Sequence, residues 1–385
     1  MVELNSLMVC RNLLKYKEEL TSNSMESTAN MIAKAEELGL SGNVIREYLL
    51  YLLTHKPNLV SATVELNGGK IGASLKDLFV TDIINLWPLF NDESNSILVD
   101  YKPTKPVNHT RLEISEDPTS MADSLIDYYR RYGCGEIADY CAFRWSDKLV
   151  GIKHFEDIHL SDLIGYDHQK LQLTGNTEAF VEGKPANNVL LVGARGTGKS
   201  SSVKALANEY FSKGLRLLQI TKPQLKNLPE IMETLRSYAS KRFIVFLDDL
   251  SFEESDPEYK YLKSAIEGGV EARPENVLIY ATSNRRHLIR ETWRDRVDGQ
   301  DELYRDDSVN ETISLSDRFG LIIYYYSPSQ AEYLEIIRHM LKKQNIELDD
   351  EQLRIEGLRW EMTHSGRNGR TAQQFVTNYL GQRLS

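Results

Sequence analysis

Residues 188–201 constrain the fold of this chain more than any other stretch, because they read NVLLVGARGTGKSS. Residues 189–192 form an apolar run of the length expected for a buried strand. A glycine-rich loop follows from Gly193 to Gly198, and Lys199 then begins a segment with helical character. This order of strand, loop and helix matches the phosphate-binding pattern G-x-x-x-x-G-K-[ST].

The chemistry of such a loop follows from its glycines and its helix. Glycines allow the backbone to turn sharply and expose its N–H groups, and the helix N-terminus adds a partial positive charge. Lys199 is expected to contact the β- and γ-phosphates of a nucleotide, and Ser200 to ligate Mg²⁺. The alternative, a glycine-rich turn with a solvated lysine, leaves the flanking strand and helix unexplained. The residues predicted to bind the nucleotide are Gly193, Ala194, Arg195, Gly196, Thr197, Gly198, Lys199, Ser200 and Ser201.

The composition is that of an ordinary globular chain. Of the 385 residues, 41% are hydrophobic and 26% are charged, as in typical globular domains. The net charge of −10 argues against a protein that coats nucleic acid with its whole surface, although a local basic channel stays open. The three cysteines have no C-x-x-C spacing, which argues against a disulfide framework or a zinc site.

The sequence carries no signal for secretion or for a membrane. Its N-terminus lacks the basic and apolar regions of a signal peptide. No apolar run approaches the roughly 18 residues of a membrane-spanning helix. We therefore expect a cytoplasmic protein with no membrane partner.

Five mainly apolar runs, of which residues 243–247 are continuously apolar, have the character of strands in a parallel sheet. A continuous apolar run is typical of a strand that is buried on both faces, and segments with helical spacing separate these runs. We therefore predict an α/β fold, a parallel sheet flanked by helices, with its ligands at the carboxyl ends of the strands. The predicted strands are residues 189–192, 215–220, 243–247, 277–281 and 321–325.

Three regions are predicted along the chain. Residues 1–150 form a mainly helical accessory region, residues 151–327 form the α/β nucleotide-binding core, and residues 328–385 form a helical lid. The accessory region either packs on the core or docks a substrate or partner, and we favour docking. The acidic stretch at 290–312 is predicted to be a solvated loop.

Two aspartates follow the strand predicted at 243–247. Asp248 is placed to hold Mg²⁺, and Asp249 to orient or deprotonate the attacking water. Aspartates also favour turns at the ends of strands, but the phosphate-binding loop upstream favours the functional interpretation.

These motifs together resemble the AAA+ superfamily of ATPases, and within it an uncharacterised bacterial family known as domain of unknown function 815. The resemblance spans residue 145 to the C-terminus and implies the AAA+ P-loop core with a C-terminal helical lid. The segments that carry it are residues 187–201, 246–253, 281–288 and 315–321.

The resemblance implies roles for two residues near the phosphates. Asn284, after the strand predicted at 277–281, resembles the sensor-1 residue that helps to position the attacking water. Arg318 resembles the arginine finger, which contacts the γ-phosphate bound to a neighbouring subunit and neutralises transition-state charge. The alternative for Arg318 is a surface ion pair with Asp317.

The resemblance also implies residues in the lid and around the base. Arg370 resembles the sensor-2 arginine of the lid, and Arg367 remains an alternative because two nearby glycines leave the register open. Ile164 and Gly165 match the segment that lines the adenine pocket in these ATPases.

One residue departs from the family pattern. Most AAA+ hydrolases have Glu where this chain has Asp249, and a shorter side chain holds its carboxylate farther from the water. Because small misplacements cost about 10²-fold in rate, the sequence predicts slow hydrolysis or assistance from Glu253.

The leading interpretation is a Mg²⁺-dependent ATPase that assembles into a ring or open spiral and remodels or loads a macromolecular partner. ATP would bind between subunits of a homo-oligomer, and the client is a protein that the sequence does not identify. The alternatives are a slow ATP-dependent switch or adaptor, and a loader that acts on DNA. A nucleic-acid partner is not indicated by the sequence, and a small-molecule kinase fits least because sensor and finger residues have no task there.

Overall fold

The structure is a computed structural model that describes residues 4–21, 24–107, 112, 114–253, 256–267, 273–284, 289–290 and 318–383. The chain divides into two units. The first comprises Met1–Cys141, Ser212–Gly214 and Leu235–Arg242. The second comprises Ala142–Phe211, Leu215–Thr234 and Phe243–Ser385.

Helices build the first unit, as the sequence predicts for the accessory region. Their starts follow from capping side chains: Asn43 accepts a hydrogen bond from the Arg46 N–H, and Asp117 precedes Pro118 at the first helical position. Buried apolar residues from these helices form one core, which includes Cys10 and Cys134. The helices are α1 (Lys17–Thr21), α2 (Met25–Leu38), α3 (Val44–His55), α4 (Leu59–Leu66), α5 (Ala73–Phe90), α6 (Ser96–Val99), α7 (Pro118–Arg131) and α8 (Glu136–Asp139).

Helix α5 contains a proline close to its end. A proline within a helix removes the backbone hydrogen bond that its own N–H would donate. The helix nevertheless runs through Pro88 and ends at Phe90.

A seven-stranded sheet forms the centre of the second unit. Its strands are β1 (Ala142–Trp145), β2 (Leu149–Gly151), β3 (Val189–Gly193), β4 (Leu215–Ile220), β5 (Arg242–Leu247), β7 (Val277–Ser283) and β9 (Leu321–Tyr325). They lie in the order β2-β1-β4-β5-β7-β3-β9. Strand β2 runs antiparallel to β1, whereas the pairs β1–β4, β5–β7, β7–β3 and β3–β9 are parallel. Strands β6 (Phe252–Glu253) and β8 (Ile289–Arg290) form a separate parallel pair.

Helices connect these strands and follow the last of them. Within the part of the chain that the structure describes, four lie between strands: α9 (Asp167–Val181), α10 (Lys199–Glu209), α11 (Leu228–Arg236) and α12 (Glu258–Glu267). Three form the lid: α13 (Gln330–Lys343), α14 (Asp350–Thr363) and α15 (Gly369–Arg383). The lid helices share their own apolar cluster, which contains Tyr333, Ile337, Leu353 and Phe375.

The predicted fold class is confirmed: a mostly parallel sheet flanked by helices, a helical lid and a helical N-terminal region. All five predicted strands are present. Strands β1 and β2 are additional, and the boundary predicted at residue 150 falls within β2. The three-region division stays a prediction. None of the described helices is long and apolar enough to cross a membrane. Apart from Arg290 at the end of β8, the loop predicted at 290–312 lies outside the described residues.

Candidate nucleotide-binding site

The predicted site residues gather where the central strands end. Strands β3 and β7 are parallel and in register, with Val192 opposite Ser283, and β5 pairs with β7 on the other side. The loop after β3, Asp248 after β5 and Asn284 after β7 therefore meet at one edge of the sheet. A cavity of about 1060 Å³ lies at this edge, between the core strands and the lid helices.

The phosphate-binding loop has the geometry that its glycines predict. Gly193 lies opposite Tyr325 of β9, and a Cβ there would come within 2.0 Å of the Tyr325 carbonyl oxygen. Gly198 has a φ of 88° and directly precedes α10, so the backbone turns into the helix in a left-handed conformation. The hydroxyl of Thr197 donates to the Ala194 carbonyl at 2.8 Å, which closes the loop on itself.

Lys199 is nearly buried, with 6% of its surface exposed. Its Nζ donates to the carbonyl oxygens of Gly193 and Ala194, each at 2.7 Å, and to Oδ1 of Asn284 at 3.1 Å. Burial lowers the pKa of the Lys199 ammonium, and nearby carboxylates, chiefly Asp249, act in the opposite direction. A desolvated cation at the start of a helix strongly attracts an anion.

Ser200 and Asp248 lie in direct contact. The Ser200 hydroxyl donates to Oδ1 of Asp248 at 2.5 Å, and the Thr282 hydroxyl donates to the same oxygen at 2.6 Å. Thr282 also accepts a hydrogen bond from the Asp249 N–H at 2.9 Å, so it ties the ends of β5 and β7 together. The sequence analysis missed Thr282, although its place near the end of a buried strand is a usable signal.

Asp249 is held in a strained conformation with its side chain facing other polar groups. Its φ of 53° lies in the left-handed region, which L-residues other than Asn and Asp seldom adopt. The Asn284 amide donates to one Asp249 carboxylate oxygen, and Nη2 of Arg195 lies 3.5 Å from the other. Asn284 therefore contacts both Lys199 and Asp249.

The lid contacts the phosphate-binding loop through its last helix. The Gly369 N–H donates to the Gly196 carbonyl at 2.8 Å. Arg370 lines the cavity, and so does every residue from Arg195 to Ser201. Arg367 instead forms an ion pair with Glu361 at 3.0 Å. The described residues that line the cavity do not include Arg367.

Residues 163–165 connect the phosphate-binding loop to the lid. A Cβ on Gly198 would lie 3.5 Å from Leu163, and a Cβ on Gly165 would lie 3.6 Å from Oε1 of Glu332 on α13. Ile164 packs against the apolar cluster of the lid and lines the cavity. The sequence analysis included Ile164 and Gly165 but missed Leu163 and the whole α13 wall of the cavity.

Arg318 is not brought to this cavity. Its guanidinium forms an ion pair with Glu267 of α12. Arg318 does not belong to the cavity wall that the described residues form. Its predicted alternative partner Asp317 lies outside the described residues, as does the side chain of Glu253.

The donor set fits a magnesium nucleotide. Lys199 supplies a cation, the start of α10 supplies backbone N–H groups, and Ser200 with Asp248 supplies a hydroxyl and a carboxylate of the kind that Mg²⁺ binds. The cavity volume of about 1060 Å³ is slightly above the usual range of small-ligand sites, about 300–1,000 Å³.

A family model described as "Protein of unknown function (DUF815)" matches residues 138–383. No curated protein matches the chain. Among solved structures, the Holliday junction branch migration motor RuvB of Thermotoga maritima is similar, at 19% identity and a TM-score of 0.38 over 57% of this chain and 63% of RuvB. A mutant of the same protein is similar at 18% identity and a TM-score of 0.40, over 57% of this chain and 64% of that one. The aligned part therefore spans less than two thirds of either RuvB chain, and we draw no functional conclusion from this likeness.

Proposed function

We propose, starting from the fact that this chain belongs to the DUF815 family, that it is an AAA+ ATPase that binds and hydrolyses ATP with Mg²⁺. In this proposal the chain assembles into a ring or open spiral, and hydrolysis between subunits drives the remodelling or loading of a macromolecular partner. The N-terminal helical region docks that partner.

One observation carries the proposal. Ser200 and Asp248, from separate elements, share a hydrogen bond of 2.5 Å beside the nearly buried Lys199. Asp248 is exposed, so its carboxylate and the Ser200 hydroxyl are accessible to a cation. The nearly buried Lys199 ammonium beside them attracts an anion. Bound Mg²⁺ would neutralise phosphate charge, and Lys199 would hold the phosphates beside it.

Nucleotide binding is the first test of this proposal. The full chain is titrated calorimetrically with ATP and ADP, each with and without Mg²⁺. Lys199→Ala is expected to abolish binding, because it removes the buried cation. Lys184→Ala is the matched control, since that lysine is exposed and pairs with Glu182. Equal affinity in the wild type and Lys199→Ala would overturn the proposal.

A slow nucleotide-dependent switch is the second candidate, and Asp249 favours it. The Asp249 carboxylate accepts a hydrogen bond from Asn284 and forms an ion pair with Arg195. These contacts must rearrange before the carboxylate can activate a water molecule. Turnover that does not change with protein concentration or with added partners would favour the switch over the remodelling ATPase. Binding of DNA that weakens steeply with salt would instead favour a loader.

A further inference from the structure

One face of the first lid helix, α13, forms the wall of the cavity opposite residues 163–165. Ile336, His339, Met340 and Lys343 line the cavity. These residues are spaced by three, one and three positions, so they lie on one side of the helix. Three apolar or aromatic side chains and one terminal cation therefore face the cavity from the lid.

His339 is the unusual member of this face. Its Nε2 atom is buried, and no described residue forms a hydrogen bond with it. Buried polar atoms in native proteins almost always have a partner, and an orphaned one calls for an explanation. His339 lines the cavity, so a rotation of its ring would present Nε2 to a molecule bound there.

The walls near His339 differ from those around the phosphate-binding loop. Ile336 and Met340 flank it on α13, and Leu163 and Ile164 line the same cavity, with Ile164 packed against the lid cluster. The other end contains Lys199, Asp248 and Asp249. An apolar part of the wall that holds an unpaired imidazole nitrogen suits an aromatic heterocycle, while the charged end suits phosphate.

We propose that His339 selects adenine over guanine at this site. In this proposal Nε2 accepts a hydrogen bond from the exocyclic amino group of the base. This inference rests on the proposed function, because it assigns the base end of the same nucleotide site. Neutral imidazole has one accepting nitrogen. Guanine presents a carbonyl oxygen in place of the amino group, so two acceptors face each other unless the imidazole moves its proton from Nδ1 to Nε2, a change of tautomer that adenine does not require. Sites built to hydrogen-bond a substrate group discriminate well against analogues that lack it.

The test compares three probes, ADP, GDP and inorganic tripolyphosphate, each with Mg²⁺ and the full chain. His339→Phe keeps an aromatic ring but removes both nitrogens. His339→Gln keeps an accepting oxygen at a similar distance from the backbone. His168→Phe is the matched control, because this histidine is exposed on α9 and does not belong to the cavity wall.

The wild type and the His168→Phe control are expected to bind ADP at least about tenfold more tightly than GDP. His339→Phe is expected to weaken ADP about tenfold, with GDP and tripolyphosphate unchanged, and His339→Gln to retain most of the preference. In ¹⁵N spectra of the imidazole rings, ADP is expected to shift Nε2 of His339, whereas tripolyphosphate does not. Unchanged tripolyphosphate binding establishes that each variant is folded.

An ADP-to-GDP ratio in His339→Phe equal to that of the wild type overturns this inference and leaves the proposed function intact. A wild type that binds tripolyphosphate but shows no preference for ADP also overturns the inference alone. A wild type that binds none of the three probes overturns the proposed function and the inference together.

Discussion

The hydroxyl oxygen of Ser200 lies 2.5 Å from Oδ1 of Asp248. Ser200 is the second residue of α10, and Asp248 directly follows β5. The helix that begins at the phosphate-binding loop and the strand that ends beside it therefore present their oxygen atoms at one point. The two residues are far apart in the sequence, so only the parallel sheet brings them together.

This contact predicts that Asp248→Asn weakens Mg²⁺ without abolishing nucleotide binding. The amide cannot supply the negative charge, so the apparent affinity for Mg²⁺ in the presence of ADP is expected to fall about 10–100-fold. Binding of ADP in EDTA is expected to change little. Magnesium titrations of the ADP complex measure the effect, and Asp256→Asn, whose carboxylate pairs with Lys222, is the control. An Asp248→Asn protein with wild-type magnesium dependence would exclude this residue from the metal site.

Asp249 allows catalysis to be separated from stability. Asp249→Asn keeps the shape but cannot accept a proton, so turnover is expected to fall about 10²–10⁴-fold while ADP affinity is unchanged. Asp249→Gly removes the carboxylate and also relieves the left-handed φ of 53°. We expect the same loss of turnover, with a free energy of unfolding that is unchanged or raised by up to about 1 kcal/mol.

Steady-state phosphate release and thermal unfolding of both Asp249 variants check this prediction. If Asp249→Asn hydrolyses ATP at the wild-type rate, another group activates the water. If Asp249→Gly unfolds well below the wild-type temperature, the conformation is not strained.

The core was predictable because its signals are local. The central strands are mainly apolar runs, with Asp248 and Asp249 directly after β5 and Asn284 directly after β7. The start of helix α13 is also encoded locally, since Ser329 caps it and Glu332 completes the capping box. Strands β1 and β2 were missed because they have only 4 and 3 residues, too few for a periodic pattern.

The other half of the site depends on tertiary packing, which local patterns do not encode. Thr282 reads as one more strand residue until β5 and β7 are placed side by side. His339 reads as a histidine on an amphipathic helix until the lid covers the cavity. The ion pair between Arg318 and Glu267 joins residues on separate elements, whereas the sequence offered only the adjacent Asp317.

Arg318 is expected to affect turnover and not binding. Arg318→Ala is predicted to leave ADP affinity within about twofold and to lower turnover about 10³-fold or more, because the transition state loses a neutralising guanidinium. Arg318→Lys is not expected to restore it, since an ammonium lacks the planar fork. Arg338→Ala is the control, because Arg338 forms exposed ion pairs with Glu335 and Asp350.

A mixing experiment tests whether Arg318 acts on a neighbouring subunit. A Lys199→Ala subunit does not bind nucleotide but retains Arg318, and an Arg318→Ala subunit binds nucleotide but lacks the arginine. Neither protein alone is expected to hydrolyse ATP, and a mixture is expected to recover activity that rises with protein concentration. Normal hydrolysis by Arg318→Ala alone, or no recovery on mixing, would contradict the assignment in trans.

Gly196 is predicted to couple the phosphate-binding loop to the lid. Its φ is 76°, and a Cβ there would lie 2.5 Å from Oδ1 of Asn368, which accepts a hydrogen bond from the Thr371 N–H at 2.9 Å in the first turn of α15. Gly196→Ala must therefore displace Asn368 and weaken the contact between the Gly369 N–H and the Gly196 carbonyl. We expect a loss of about 1–3 kcal/mol in the free energy of unfolding and weaker ADP binding.

The double variant Gly196→Ala/Asn368→Gly separates the two causes of that loss. It removes the steric contact but keeps the strained φ, so we expect it to recover part of the ADP affinity while the unfolding free energy stays low. Gly381→Ala is the control within α15, because a Cβ there meets nothing within 4 Å and is expected to stabilise the helix by about 0.5–1 kcal/mol. ADP titrations and chemical denaturation of the three variants measure both quantities. If Gly196→Ala binds ADP like the wild type, the lid can move away from the loop without loss, and the coupling between them is not required for nucleotide binding.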